Sequence, residues 1–120
     1  MKILADTSIW VDHLRHGNAH MSSLLAAGEI AVHDHVVGEL CLGGLSRGTL
    51  AMMQLLRRCP VASHDEVMHL IAARRLAGRG LGYVDSHLLA AALIGRLQLW
   101  TLDQALRQAA GECGCALAAH

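Results

Sequence analysis

Phenylalanine is absent from the 120 residues, and Trp10, Trp100 and Tyr83 are the whole complement of indole and phenol rings. The core must therefore be filled by Leu, Ala, Val, Ile and Met. Net charge is missing too, because ten Lys and Arg balance ten Asp and Glu. That excludes a polycation gripping phosphates by bulk charge, while leaving room for a local basic patch. Lysine is nearly absent: Lys2 stands alone, and the other nine basic residues are Arg, a side chain suited to bidentate contacts with phosphate or carboxylate. No stretch approaches the roughly 18 apolar residues of a membrane span; the longest run is LLAAALI, Leu88–Ile94. The opening MKILADTSIW places Asp6 where an export signal is uninterruptedly apolar. The expected compartment is the cytoplasm, with Cys41, Cys59, Cys113 and Cys115 as reduced thiols.

What is present reads as one domain over residues 1–120, long enough to bury a core without staples. Lys2–Ala5 has the pattern of a short buried strand, with Asp6-Thr7-Ser8 as strand end and helix cap. Helices are expected over Ile9–Arg15 and Ala19–Ala27, the second stopped by Gly28, then a strand at Glu29–Val32. Two helices follow, roughly His35–Leu45 and Thr49–Arg58. Pro60 opens a brief strand, Val61–Ser63, and Asp65–Ala77 is a further helix closed by the glycines of GRGLG. The helix GYVDSHLLAAALIG (82–95), the strand LQLWT (97–101), a helix from Asp103 to about Ala110 and a strand near Cys115–Ala118 complete the chain. Strands alternating with helices imply an α/β domain with a central parallel sheet covered on both faces.

In such sheets, ligands gather beyond the carboxyl ends of the strands. Asp6 follows the first strand, Asp103 follows LQLWT, Asp85 heads an apolar helix, and Glu39 lies in the helix after the second strand, on a face shared with Val36 and Leu42. Singly, each acid has an ordinary use: Asp6 and Asp103 as helix caps, Asp85 as a charge favoured by the helix dipole, Glu39 as a solvated side chain. Asp85 is the pointed case, because Leu88, Leu89 and Ala92 share its face and an isolated buried carboxylate is costly. Carboxylates gathered at one rim raise one another's pKa unless a cation is present, and hard oxygen donors suit Mg²⁺ or Mn²⁺.

The stretches ILADTSIWVDHLR, GEL, GYVDSHLLAAALI and LWTLDQAL resemble, in this order and across nearly the whole chain, the motifs of PIN-domain ribonucleases, most closely the VapC-type toxins of bacterial toxin–antitoxin systems. The resemblance implies a PIN-like three-layer α/β/α sandwich and a Mg²⁺-dependent endoribonuclease, with Mn²⁺ a plausible substitute. It assigns Asp6 and Asp85 as metal ligands, Glu39 and Asp103 as completing the acidic pocket, and Thr7, Ser8 and Thr101 as supporting hydroxyls. Many relatives carry a further acid and an aromatic just past the last Asp, where this chain reads Gln104-Ala105-Leu106. It further implies an RNA substrate, a cognate VapB-type antitoxin, a homodimer, and operator DNA reached only through the antitoxin. Arg47, Arg57, Arg58, Arg74, Arg75 and Arg79 are the candidate RNA contacts; with so few aromatics, base stacking is not expected to be the main mode of recognition. Leu24, Leu25, Met52, Met53, Leu55 and Leu56 are read first as core, with an excess that would suit a partner helix.

Other chemistries fit less well. His33-Asp34-His35 has strand rather than helix spacing, and Cys113-Gly114-Cys115 lacks the usual separation of a zinc pair. His13, His16 and His20 read as solvated, and His87 points elsewhere on its helix than Asp85. An aspartyl phosphatase needs a second Asp where Ser8 stands, and a phospho-receiver needs a late-strand Lys. The remaining alternative is a catalytically silent interaction module on the same fold, against which the four acids argue.

Overall fold

The structure, a computed structural model, describes residues 2–118; Met1, Ala119 and His120 lie outside them. Four short parallel strands form one sheet in the order β3-β2-β1-β4: β1 (Ile3–Ala5), β2 (Ile30–Val32), β3 (Arg57–Arg58) and β4 (Gln98–Trp100). β1 pairs with β2 through Ile3–Ile30 and with β4 through Ile3–Gln98, Leu4–Leu99 and Ala5–Trp100. All four strands run the same way, so Asp6, His33 and Thr101 emerge from neighbouring strand ends on one rim.

Seven helices connect and cover the sheet among the described residues: α1 (Thr7–His16), α2 (Ala19–Ala26), α3 (Asp34–Leu42), α4 (Arg47–Gln54), α5 (His64–Ala73), α6 (Tyr83–Gly95) and α7 (Gln104–Glu112). The best-buried is α6, in which every residue from Ser86 to Ala92 is buried, as its run of Leu and Ala requires. In the absence of Phe, the interior is closed by Trp10, Met21 and Met53, each fully buried, together with Leu4, Ile9, Leu88, Leu89, Leu99 and Leu106. No helix among the described residues is long and apolar enough to cross a membrane. The four cysteines are free thiols; burial pushes Cys59 up to about 12 and Cys115 up to about 11.

Several expected boundaries move. The expected helix Thr49–Arg58 stops at Gln54, and Arg57–Arg58 instead pair with β2 as the edge strand. Cys59 precedes Pro60, which disfavours helical backbone, and its N–H donates to Val32 O at 2.8 Å, extending the ladder. Val61–Ser63 is not a strand; Ala62 packs under α5 against Val67 and Ala90, and Ser63 caps α5 in a reciprocal box with Glu66. Helix α5 ends at Ala73 rather than Ala77, where Arg75 turns with φ +53. The last expected strand contracts to one bridge, Ala116 beside Leu99.

Candidate active site

Asp6 is 6 % exposed, and a carboxylate so buried needs partners. It has three. The Ile9 N–H donates to Oδ1 at 3.3 Å, making Asp6 the N-cap of α1. The Ser8 hydroxyl also donates to Oδ1, and the Thr101 hydroxyl donates to Oδ2. Both hydroxyls are oriented from behind: Ser8 Oγ accepts the Leu102 N–H and Thr101 Oγ1 accepts the Asp103 N–H, each at 3.0 Å. A hydroxyl has one proton, and with backbone N–H groups on its lone pairs that proton points to Asp6. Arg107 donates to the Thr101 carbonyl at 3.0 Å, tying the loop to α7.

The other acids approach from three further elements. Asp103 caps α7, its Oδ1 accepting the Leu106 N–H at 2.9 Å. Asp85, in the first turn of α6, accepts the Gly82 N–H on Oδ2 at 2.9 Å. Glu39 on α3 accepts the Thr7 hydroxyl on Oε1 at 2.6 Å. In each of these three, one oxygen is committed and the other has no protein partner among the described residues. The ordinary use of Asp as a helix cap is thus real for Asp6 and Asp103, and it is also what fixes the carboxylates in place. Glu39 is exposed, in keeping with its ordinary use as a solvated side chain, but the face expected to join it to Val36 and Leu42 splits, since Leu42 is 91 % exposed while Val36 is buried.

Asp85 reports the electrostatics of the rim. Its carboxyl is held above the usual range first by burial, then by the negative charges of Asp103, Asp6 and Glu39, with the Gly82 hydrogen bond opposing. Four acids from four parts of the chain therefore share one field. Among the described residues, no three His, Cys, Asp or Glu side chains already converge on a closed metal cage. A set of hard oxygen donors with uncommitted atoms and unrelieved repulsion fits an ion such as Mg²⁺, which keeps much of its water and takes only one or two carboxylates. A cleft of about 380 Å³ opens beside the rim, with Thr7 and Glu39 at its edge and Val11, Leu14, Leu40 and Leu45 on its walls.

The candidate RNA contacts separate. Arg58 is in an ion pair with Asp34, and Arg79 makes a two-pronged bridge to Glu112 at 2.8 Å for each prong. Arg47, Arg57, Arg74 and Arg75 are exposed. Among the expected core residues, Met53 is buried, Leu24, Leu25, Met52 and Leu56 pack against the core, and Leu55 is 88 % exposed.

Three histidines are more buried than their polarity implies. His20 is half-buried beside the Trp100 ring at 5.0 Å rather than solvated. His33 is fully buried and caps α3, its Nδ1 accepting the His35 N–H at 3.0 Å. That bond leaves the neutral ring's proton on Nε2, the wrong tautomer for a metal ligand at that atom. His87 is buried as well, and it points away from Asp85 as expected, into a group of rings that no sequence signal except the Tyr83–His87 spacing could have revealed.

Residues 3–112 match the family model described as PIN domain. The chain is 45% identical over 119 residues to Ribonuclease VapC32 of Mycobacterium tuberculosis, in each of two strains, and the match covers 97% of this chain and 96% of that one. Among solved structures, it resembles the crystal structure of PAE2754 from Pyrobaculum aerophilum with a TM-score of 0.63 at 21% identity, covering 91% of this chain and 84% of that one. The latter likeness bears on the fold alone.

Proposed function

The chain belongs to the PIN-domain family, on its VapC ribonuclease branch, and from that membership we propose that it is a single-domain toxin-type endoribonuclease. It hydrolyses RNA phosphodiester bonds with the help of Mg²⁺, or Mn²⁺ in its place, held by Asp6 and Asp85 with Glu39 and Asp103 completing the pocket. What carries the reading is the arrangement of the four acids: Asp6 is clamped by Ser8 and Thr101, while Asp85, Asp103 and Glu39 are each fixed by one oxygen and keep the other uncommitted. When bound, the ion supplies Lewis acidity and a lowered water pKa at the scissile phosphate.

The chain's own residues do the positioning. Ser8 and Thr101 aim Asp6 by donating to its two oxygens. The helix caps keep the backbones of α1 and α7 from carrying Asp6 and Asp103 away from the rim. Thr7 restrains exposed Glu39, which otherwise has only solvent on its outer side. Removing such an orienting partner typically lowers metal affinity or activity about 10- to 100-fold. Thr101→Val is accordingly expected to cut cleavage by about that factor, with most of the loss recovered at raised Mg²⁺ concentration. A Mg²⁺ titration of the cleavage rate checks it, and an unchanged half-saturating concentration would rule the orienting role out.

The same reading implies a cognate VapB-type antitoxin, and the cleft bordered by Thr7 and Glu39 gives it apolar walls beside the acids. A homodimer, operator DNA engaged only through the antitoxin, and a cytoplasmic location belong to the same proposal. The test is cleavage of total cellular RNA by purified, antitoxin-free protein with Mg²⁺, with Mn²⁺ and with EDTA. Discrete cuts that appear only with metal support the enzyme. Well-folded protein that cuts nothing and binds no metal by calorimetry would leave an interaction module in its place.

A further inference from the structure

We propose that Tyr83 and His64, floored by His87 and His35, form a nucleobase-stacking platform that seats an unpaired RNA base next to the acidic rim. The choice of RNA as ligand rests on the ribonuclease reading; the existence of the platform rests on its geometry. In a chain without Phe, whose two Trp are buried in the main core, the lone tyrosine and four imidazoles collect in one place. His87 meets His35 edge-on, with ring centroids 4.5 Å apart and planes at 85°. Tyr83 meets His87 the same way at 4.7 Å and 86°, and His64 lies 5.7 Å from Tyr83. His33 backs the group at 4.9 Å from His35.

Burial is graded from floor to surface. His33 and His87 are buried and His35 half-buried, whereas Tyr83 is 46% exposed and His64 exposed. Both outer rings are fixed rather than loose, because the Tyr83 hydroxyl and His64 Nδ1 lie 2.6 Å apart in a hydrogen bond. An aromatic ring held half in water by a rigid polar partner keeps a face on which a base can stack.

Position then selects the ligand. His33 immediately follows β2, the strand paired with β1, and Asp6 immediately follows β1; adjacent strands lie about 4.8 Å apart. Helix α6 carries Asp85 between Tyr83 and His87, and two residues of helix turn the side chain by roughly 200°. Asp85 therefore faces the acids while Tyr83 and His87 turn to the other side of α6, toward His33 and His35 just beyond the end of β2. A platform so placed holds the base of a nucleotide flanking the scissile phosphate, where it contributes affinity and selects unpaired strands. A zinc site made from the same rings is disfavoured because, among the described residues, no three His, Cys, Asp or Glu side chains converge on one point.

The test is equilibrium binding by fluorescence anisotropy, using the full chain in EDTA so that nothing is cut. The probes are a short single-stranded RNA and a strand of equal length and charge lacking its bases. Wild type is expected to prefer the base-bearing strand about tenfold, and Tyr83→Leu to lose that preference while binding the baseless strand unchanged. Tyr83→Phe, which keeps the ring, is expected to retain most of it. Circular dichroism and urea midpoints establish that each variant folds. Equal binding of the two probes by wild type, or an undiminished preference in folded Tyr83→Leu, overturns the platform. Mg²⁺-dependent cleavage measured in parallel separates the two readings: base preference without cleavage removes only the nuclease, and cleavage without base preference removes only the platform.

Discussion

Asp85→Asn is expected to raise the urea midpoint of the metal-free protein at pH 7 while lowering RNA cleavage by at least about a hundredfold. The sign follows from the direction of the shift. Burial and the three neighbouring acids hold the Asp85 carboxyl above its ordinary value in the folded chain. The favourable contribution of such a group is complete below its unfolded pKa and is lost as pH rises through the folded one. At pH 7 the ionised side chain therefore opposes folding, and Asn removes the charge while its carbonyl can still accept the Gly82 N–H. The gain is expected to vanish on titration below the ordinary carboxylate range, where Asp85 is neutral in both states. Added Mg²⁺ should raise the wild-type midpoint by mass action and leave that of Asp85→Asn nearly unmoved.

Asp6→Asn is the informative contrast. Asp6 accepts from Ser8, Thr101 and Ile9, so an amide there sets a donor against a donor and is expected to cost about 1–3 kcal/mol. The two variants should lose cleavage together and move stability in opposite directions. A fall in the midpoint of Asp85→Asn at pH 7 would contradict the crowded-anion account of the rim.

The second large effect is acid instability centred on His33. Burial, then the charges of His35 and His87, push its pKa down to about 4, with Asp34 opposing. The unfolded chain binds the proton near 6.5, so between those two values the unfolded state holds more protons and stability falls as pH falls. As much as about 3 kcal/mol is expected to be lost between pH 7 and pH 4. Most of that is gone by the lower limit, because the folded chain then binds the proton too. His33→Asn keeps a side chain suited to capping α3 and carries no titratable group. Its stability at neutral pH is expected to be lower, for want of the packed ring, yet its decline toward pH 4 should be shallower by about the same 3 kcal/mol. Urea midpoints of both proteins across that range decide the matter, and parallel pH profiles would assign the acid sensitivity elsewhere.

The parts of the molecule legible in the sequence are those where one physical demand dominates. A buried β1 followed by a capping Asp6, and an α6 whose apolar run can only be interior, follow from pattern alone. The approach of Glu39, Asp85 and Asp103 to Asp6 came from motif order, since no local spacing encodes contacts across 95 residues such as Thr101 to Asp6. Strand β3 was illegible because two exposed Arg residues have no inward face to alternate with an outward one; its existence is decided by the open edge of β2. The ring cluster is illegible for a related reason. Histidine serves as a solvated polar side chain as readily as it serves as a stacking ring, and a helical wheel that turns His87 away from Asp85 says nothing of what it turns toward.

The contact between Asp6 and Thr101 also sets a timetable. During synthesis at about 5–20 residues per second, Asp6 is made 95 residues ahead of Thr101, and β4, the loop that orients Ser8, and Asp103 follow on the same delay. Over that interval a nascent polypeptide has Asp6 without its clamp and a rim without its fourth carboxylate. Assembly of the site is thereby deferred until β4, the strand at the sheet's far edge, has been added.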